Sequence, residues 1–308
     1  MTTQNIPDGV WPTMLTPFTS ENRIDYLALE ALVEWYIEKG VHGLFAVCQS
    51  SEMFTLSLAE RVEIARCVKA AAADRVPVIA SGHISTTLEE QVDELNAIAH
   101  SGVEAVVLIS NAFAQPHEPD DVWKSNLVKL LRRLPGDIPL GFYECPAPYK
   151  RLFAPELLRW VADTGRFWFL KDTSCNIDQI KARLAAIQGT QLKLYNANAA
   201  TLLQSLKAGA AGYSGVMANF HPELYVWLAE NWRRYPEQGN RLARFLSLAS
   251  VIEGRAYPVS AKYAMQLAGI PMTLHSRVAE MTILTPSFKL EVEDLLAFTQ
   301  EYQPYTAN

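Results

Sequence analysis

Short apolar runs alternate along the chain with longer stretches of helical period. The runs are Gly9–Phe18, Gly43–Cys48, Pro77–Gly82, Ala105–Ser110, Pro139–Cys145, Phe167–Asp172, Gln191–Ala197 and Ala211–Val216. They are nearly continuous and rich in Val, Ile and Phe, as strands buried on both faces of a helix-covered parallel sheet must be. Between them, Leu58, Val62, Ala65, Val68 and Ala72 share one helical face, and so do Leu88, Val92, Leu95 and Ile98. Ser85 or Thr86 stands where the second of these helices needs an N-cap, with Glu89 and Glu90 in its first turn. Pro155 and Pro222 fall where a helix begins, and Gly40, Gly102 and Gly209 where one stops.

Eight such units in roughly the first 235 residues predict an α/β fold, a (β/α)8 TIM barrel. Beyond Pro236 no strand pattern recurs. Leu242, Phe245, Leu246, Ala249 and Ile252 keep helical spacing, and Val259–Ala268 and Leu290–Tyr302 read as further helices. The predicted organisation is a barrel over 1–235 and a helical extension over 236–308 packed against it. An open doubly wound sheet is disfavoured, because no G-x-G-x-x-G follows the first run, and G-x-x-x-x-G-K-[ST] is also missing.

Composition narrows the classes of function. Hydrophobic residues make up 49% of the 308 and charged residues 19%, enough for a large core. With 27 basic and 33 acidic residues the net charge is −6, which argues against nucleic-acid binding. No apolar run is long enough to predict a membrane span, and the first residues do not read as a signal peptide. Cys48, Cys67, Cys145 and Cys175 form no C-x-x-C pair and have no His at zinc-ligand spacing. They predict free thiols in a reducing cytoplasm and no metal.

A barrel carries its chemistry at the C-terminal ends of its strands. Lys171 follows the apolar Phe167-Trp168-Phe169-Leu170. Turned inward, its amine would be desolvated, lose affinity for its proton and attack a ketone; otherwise it is a structural lysine paired with Asp172 or with a helix C-terminus. Tyr143 can pass protons at such a centre, or serve as a core tyrosine. Ser50 and Ser51 can present hydroxyl and N–H groups to a carboxylate, or simply form a turn. His83 is read as a polar loop residue at the mouth rather than a proton carrier. Glu144 is read either as an acid or as a hydrogen-bonding group within the barrel. Phe113, Trp227, Trp232 and Tyr235 suit either subunit contacts or core packing.

Four segments in order are familiar. They are Gly40-Val41-His42-Gly43-Leu44 leading to Ser50-Ser51-Glu52, Tyr143-Glu144-Cys145-Pro146, Phe169-Leu170-Lys171-Asp172-Thr173-Ser174, and Gly209 to Gly215 followed by Ala218-Asn219. Through them the chain resembles the dihydrodipicolinate synthase / N-acetylneuraminate lyase family of class I aldolases, from about Gly9 to the C-terminus. The resemblance implies that Lys171 forms a Schiff base with pyruvate or another 2-oxo acid and that Tyr143 shuttles protons. It implies that Ser50 and the Ser51 N–H hold the substrate carboxylate, that the Ser214 carbonyl faces the keto acid, and that Gln49 and Asn198 line the site. It implies no cofactor and a homotetramer built as a dimer of dimers.

The departures are specific. The family's first hydroxyl residue is Gln49 here, and the relay tyrosine lent by a neighbouring subunit is Phe113. The arginine that binds the second substrate's carboxylate aligns with Pro148, with Lys150 and Arg151 nearby, and the sugar-gripping strand-seven motif reads Ala197-Asn198-Ala199. The expectation is a Schiff-base lyase, aldolase or dehydratase, acting on some other 2-oxo acid. The alternatives are 4-hydroxy-tetrahydrodipicolinate synthase and a non-catalytic keto-acid-binding barrel.

Overall fold

The computed structural model describes residues 6–302. The leader reading at the first five residues, and the outermost ends of the two predicted regions, lie outside it. Eight parallel strands follow the predicted runs: β1 Gly9–Val10, β2 Leu44–Phe45, β3 Val78–Ala80, β4 Ala105–Ile109, β5 Leu140–Tyr143, β6 Phe167–Asp172, β7 Lys193–Asn196 and β8 Gly212–Tyr213. Their order is β1-β8-β7-β6-β5-β4-β3-β2. The two ends meet through a parallel bridge, Thr13↔Phe45, flanked by His42 N–H donating to Val10 O at 2.9 Å and Phe45 N–H to Pro12 O at 3.1 Å. The ring is therefore a closed barrel. Most strands are shorter than their apolar runs because only the middle of each run keeps the ladder; the rest stays buried where the chain leaves the sheet, as at Trp11, Met14, Leu15 and Phe18.

Helices cover the outside: α1 Tyr26–Glu38, α2 Leu58–Ala72, α3 Leu88–Ala99, α4 Asp120–Leu131, α5 Pro155–Asp163, α6 Ile177–Ala186, α7 Ala199–Lys207 and α8 Pro222–Asn231. Pro155 and Pro222 open α5 and α8, where a missing N–H leaves no bond unmade. The α3 cap is Thr87, not Ser85 or Thr86. Ser85 gives its N–H and hydroxyl to Glu94, at 3.0 and 2.9 Å, so Thr87 takes the Glu90 N–H instead.

Close approach explains two of the glycines. A Cβ on Gly212 would lie 1.8 Å from the Gly9 carbonyl at the β1–β8 seam. On Gly43 it would enter the Trp11 ring. That ring is part of an aromatic plug inside the barrel. Trp11 meets Phe169 edge-on at 5.6 Å, Phe169 stacks on Tyr195 at 4.5 Å, and Phe45 lies 6.0 Å from both Phe169 and Tyr143. The plug closes the barrel beneath the strand ends.

The tail forms α9 Pro236–Ala249, α10 Val259–Leu267 and α11 Pro286–Tyr302. Ile252 does not continue α9, as its spacing predicted, but lies in a 3₁₀ turn, Ser250–Gly254. Contacts from several directions hold the tail to the barrel. Lys262 Nζ, fully buried, donates to Glu52 Oε1 at 2.7 Å, and Arg277 N–H and Ser276 Oγ reach Glu52 Oε2 at 2.6 and 3.0 Å. Thr273 Oγ1 donates to Phe18 O at 2.6 Å. On α11, Thr299 Oγ1 lies 3.0 Å from Nδ1 of the buried His221. Trp227 is buried, and Trp232 and Tyr235, half-buried, pack against the core. No helix among the described residues is long and apolar enough to cross a membrane.

Candidate active site

Strand alternation decides what each side chain of β5 and β6 can do. Tyr143 pairs with Lys171 in register, and Gly141 with Phe169. Phe169 belongs to the interior plug, so Lys171, two residues on, also points into the barrel, just above it. Leu170 and Asp172 face the helices instead. There Asp172 accepts from Arg183 of α6 through Oδ2 and from Ser174 N–H at 2.9 Å through Oδ1. The same arginine meets Glu144 at 3.2 Å, whose carboxylate also accepts the Phe153 and Thr173 N–H groups at 2.8 and 2.9 Å. Glu144 thus has a structural place on the helix-facing side. Burial and the Asp172 charge push its carboxyl up to about 7, against the pull of Arg183.

Asp172 is therefore engaged elsewhere and does not pair with Lys171. The lysine is 4% exposed, and its Nζ has no hydrogen bond or ion pair among the described residues. It lies 4.3 Å from the centroid of the Tyr143 ring. Burial holds its pKa below the usual lysine range, with the Cys48 and Cys145 thiols and Glu253 acting the other way. Burial likewise raises Tyr143 well above a free phenol. The Tyr143 hydroxyl donates to Gln49 Oε1 at 3.3 Å, so the amide that replaces the family's first hydroxyl residue touches the phenol directly.

These groups open into a cavity of about 420 Å³ at the C-terminal mouth. Lys171, Tyr143, Gln49, Ser50 and Asn198 line it together. Ser50 Oγ lies 3.2 Å from Thr13 Oγ1. Asn198 caps α7, its Oδ1 taking the Thr201 N–H at 3.0 Å. Ser51 and Ser214 do not line the cavity. The Ser51 hydroxyl is held at 2.7 and 2.9 Å from the Met14 and Ala46 carbonyls, and its N–H donates to Cys48 O at 3.1 Å. Ser214 is fully buried, and the cavity wall continues through its neighbours Gly215 and Val216.

His83 lies in the loop after β3 but is not exposed at the mouth. It is buried against Phe113 at 5.5 Å, and burial lowers its pKa to about 4. Phe113 is 3% exposed and packs on Trp123 and Phe142 within its own chain, away from the cavity. Arg151 is fixed to Asp120 at 2.8 Å, whereas Lys150 lines the cavity and donates to Thr173 O at 3.0 Å.

Two lining groups escaped the sequence reading, Glu253 and Tyr257. Both come from the segment between α9 and α10, which Asn219 ties to the barrel. Asn219 Nδ2 donates to Thr13 O and Val216 O at 3.0 Å and lies 3.4 Å from the Tyr257 hydroxyl. The available signal was the helix break itself: Gly254 directly follows the glutamate and Pro258 the tyrosine, and both interrupt the periodicity.

A buried lysine without a hydrogen-bonding or ionic partner among the described residues, beside a tyrosine at the strand ends of a (β/α)8 barrel, has the chemistry to form a Schiff base with a ketone. The comparisons agree with that chemistry. A model of the dihydrodipicolinate synthetase family matches residues 6–298, and the chain belongs to that family, one of class I aldolase-type lyases. It is 24% identical over 306 residues to the 4-hydroxy-tetrahydrodipicolinate synthase of Methanosphaerula palustris, covering 97% of this chain and 99% of that one. With the enzyme of the same name from Methanoculleus marisnigri it shares 27% over 229 residues, 73% of this chain and 76% of the other. Among solved structures it is similar to YagE, a prophage protein of E. coli K12 in complex with pyruvate. The TM-score is 0.86 at 22% identity, over 96% of this chain and 99% of YagE. DapA-2 of Bacillus anthracis, a dihydrodipicolinate synthase, gives 0.84 at 18%, over 94% and 97%.

Proposed function

We propose that the protein cleaves or dehydrates a 2-oxo acid, pyruvate-derived or closely related, through an imine on Lys171. The observation that carries this reading is the Lys171 amine, desolvated and without a hydrogen bond or ion pair among the described residues, opening into a cavity beside the Tyr143 ring. A neutral amine adds to the ketone, and Tyr143 moves the protons needed to expel water. The protonated imine then accepts the electron pair of a bond broken at C3. Ser50 holds the substrate carboxylate from the cavity wall, with Ser51 fixing the turn beneath it, and Gly215 and Val216 rather than Ser214 supply the wall at the end of β8. Holding carboxylate and ketone together orients the reaction. Gln49 orients Tyr143, and Asn198 meets the far end of the substrate. Assembly as a homotetramer, a dimer of dimers, in the cytoplasm belongs to the same reading; a monomeric mass by light scattering would remove the assembly.

Borohydride trapping with pyruvate tests the imine. The expected result is a covalent adduct by intact mass, lost in Lys171→Ala. An unmodified chain, or an adduct that survives the substitution, defeats the reading. A second reading, condensation of pyruvate with aspartate semialdehyde, is favoured by one observation: Lys150 places a cation in the cavity near the expected arginine position. Phe113 weighs against it, since it has no phenol and packs elsewhere. A coupled assay with both substrates is expected to give little turnover, and brisk turnover would establish that reading instead.

A further inference from the structure

The acids around the mouth are committed to partners, with one exception. Glu52 accepts from Lys262, Ser276 and Arg277, and Glu144 and Asp172 share Arg183. Glu253 lines the cavity half-buried, and its carboxylate makes no hydrogen bond or ion pair among the described residues. Carboxylates removed from water are normally paired, because leaving one unpaired costs stability. Here an unpaired carboxylate and an unpaired amine line one cavity, and each shifts the other's titration without closing into a salt bridge. Both groups line the same cavity of about 420 Å³.

We propose that Glu253 is a further acid–base group of this site, serving C3 and C4 of the substrate while Tyr143 serves the imine. This rests on the Lys171 imine proposed above. With the carboxylate at Ser50 and the ketone at Lys171, the rest of the substrate extends into the cavity that Glu253 also lines. In a substrate that bears a C4 hydroxyl, the Glu253 carboxylate takes its proton. The oxygen's electron pair forms the carbonyl of the departing aldehyde, the C3–C4 bond breaks, and its pair forms the C2–C3 double bond as the iminium becomes an enamine. Glu253 then returns the proton to C3, and water hydrolyses the resulting iminium to pyruvate and the free lysine. Charge, atoms and electrons balance without an added reagent. Burial raises the Glu253 carboxyl to about 7, against the opposing charge of Lys171, so it can both accept and give a proton near neutral pH. Phe113 cannot supply a phenolic proton, and the Gln49 amide does not titrate, so the role is otherwise unfilled by those two positions.

The test uses pyruvate as probe with wild type, Glu253→Gln and Glu253→Ala. Borohydride trapping reads imine formation, and exchange of the pyruvate methyl protons for deuterium, followed by NMR, reads proton transfer at C3. Glu253→Gln should trap as fully as wild type while its exchange rate falls on the order of 100-fold or more. Formate should restore part of the exchange in Glu253→Ala by entering the vacated space. Exchange in Glu253→Gln within about threefold of wild type overturns the proposal and leaves the imine reading standing. Loss of trapping in that variant, or exchange that formate does not restore, also overturns it, by placing Glu253 in imine formation or in structure. If wild type itself fails to trap, both readings fall together.

Discussion

Arg183 lies on the helix-facing side of β6 and never reaches the cavity, yet its replacement tests how the site is held. In Arg183→Met the guanidinium that bridges Glu144 and Asp172 is gone, along with its Nε–H bond to Phe153 O at 2.9 Å. Both carboxylates are fully buried and are left facing each other. Removing one partner of a buried ion network typically costs about 3–5 kcal/mol, because the remaining charge is uncompensated. The size of the loss should depend on pH. Glu144 already stands at about 7 in the folded protein, well above an unfolded glutamate near 4.3, even with Arg183 pulling it down. A folded-state carboxyl raised in this way binds a proton more tightly than the unfolded chain does, so its contribution is fullest at low pH and fades as pH rises through the folded value. Without Arg183 the folded value moves higher and the fading extends above neutrality. The destabilisation should therefore be largest at pH 8 and shrink toward pH 5.5. Urea denaturation of wild type and variant at both pH values measures it. Adding Glu144→Gln and Asp172→Asn should recover much of the pH 8 loss. A deficit below about 1 kcal/mol, or one equal at the two pH values, would refute the reading of a strained carboxylate pair under one arginine.

Two further predictions follow from buried groups that lack compensation. Lys171→Met should abolish pyruvate trapping yet leave the fold about 1–2 kcal/mol more stable, since it replaces a desolvated, partnerless amine with an apolar chain of similar shape; a lower melting temperature would contradict this. His83 and His221 are held neutral by burial, with pKa values lowered to about 4 and about 3. A depressed imidazole resists protonation in the fold while the unfolded chain takes up protons below about 6.5, so stability from these groups falls as pH drops from there toward the folded values. Both rings should remain neutral by NMR at pH 5, and an imidazolium signature from either would count against that burial.

Much of the barrel was legible because its strands are covered on both faces, so a plain run of apolar residues marks each one. β6 shows this best: its predicted limits, Phe167 and Asp172, are those of the ladder. The inward turn of Lys171 was less legible, since a lysine beside an aspartate reads equally well as an ion pair. What separates the two is Arg183, which comes from the following helix and claims Asp172. Sequence distance hid that competition, as it hid the burial of His83 under Phe113. The tail was legible as helices but not as a source of cavity wall. Helical spacing carried α9 through Ile252, and only the three-dimensional path of the 3₁₀ turn reveals that the next residue stands over the strand ends.

The latch between Glu52 and Lys262 has a consequence for how such a site can diversify. One side of the cavity is anchored in the strands, where Lys171 and Tyr143 sit in register; the opposite side arrives on a separate stretch of chain, clamped down by a buried ion pair. The two sides can therefore be altered independently. On the chemistry proposed above, chimeras that exchange residues 250–258 between relatives while keeping the clamp would change substrate preference and leave the Lys171 half of the cavity unchanged.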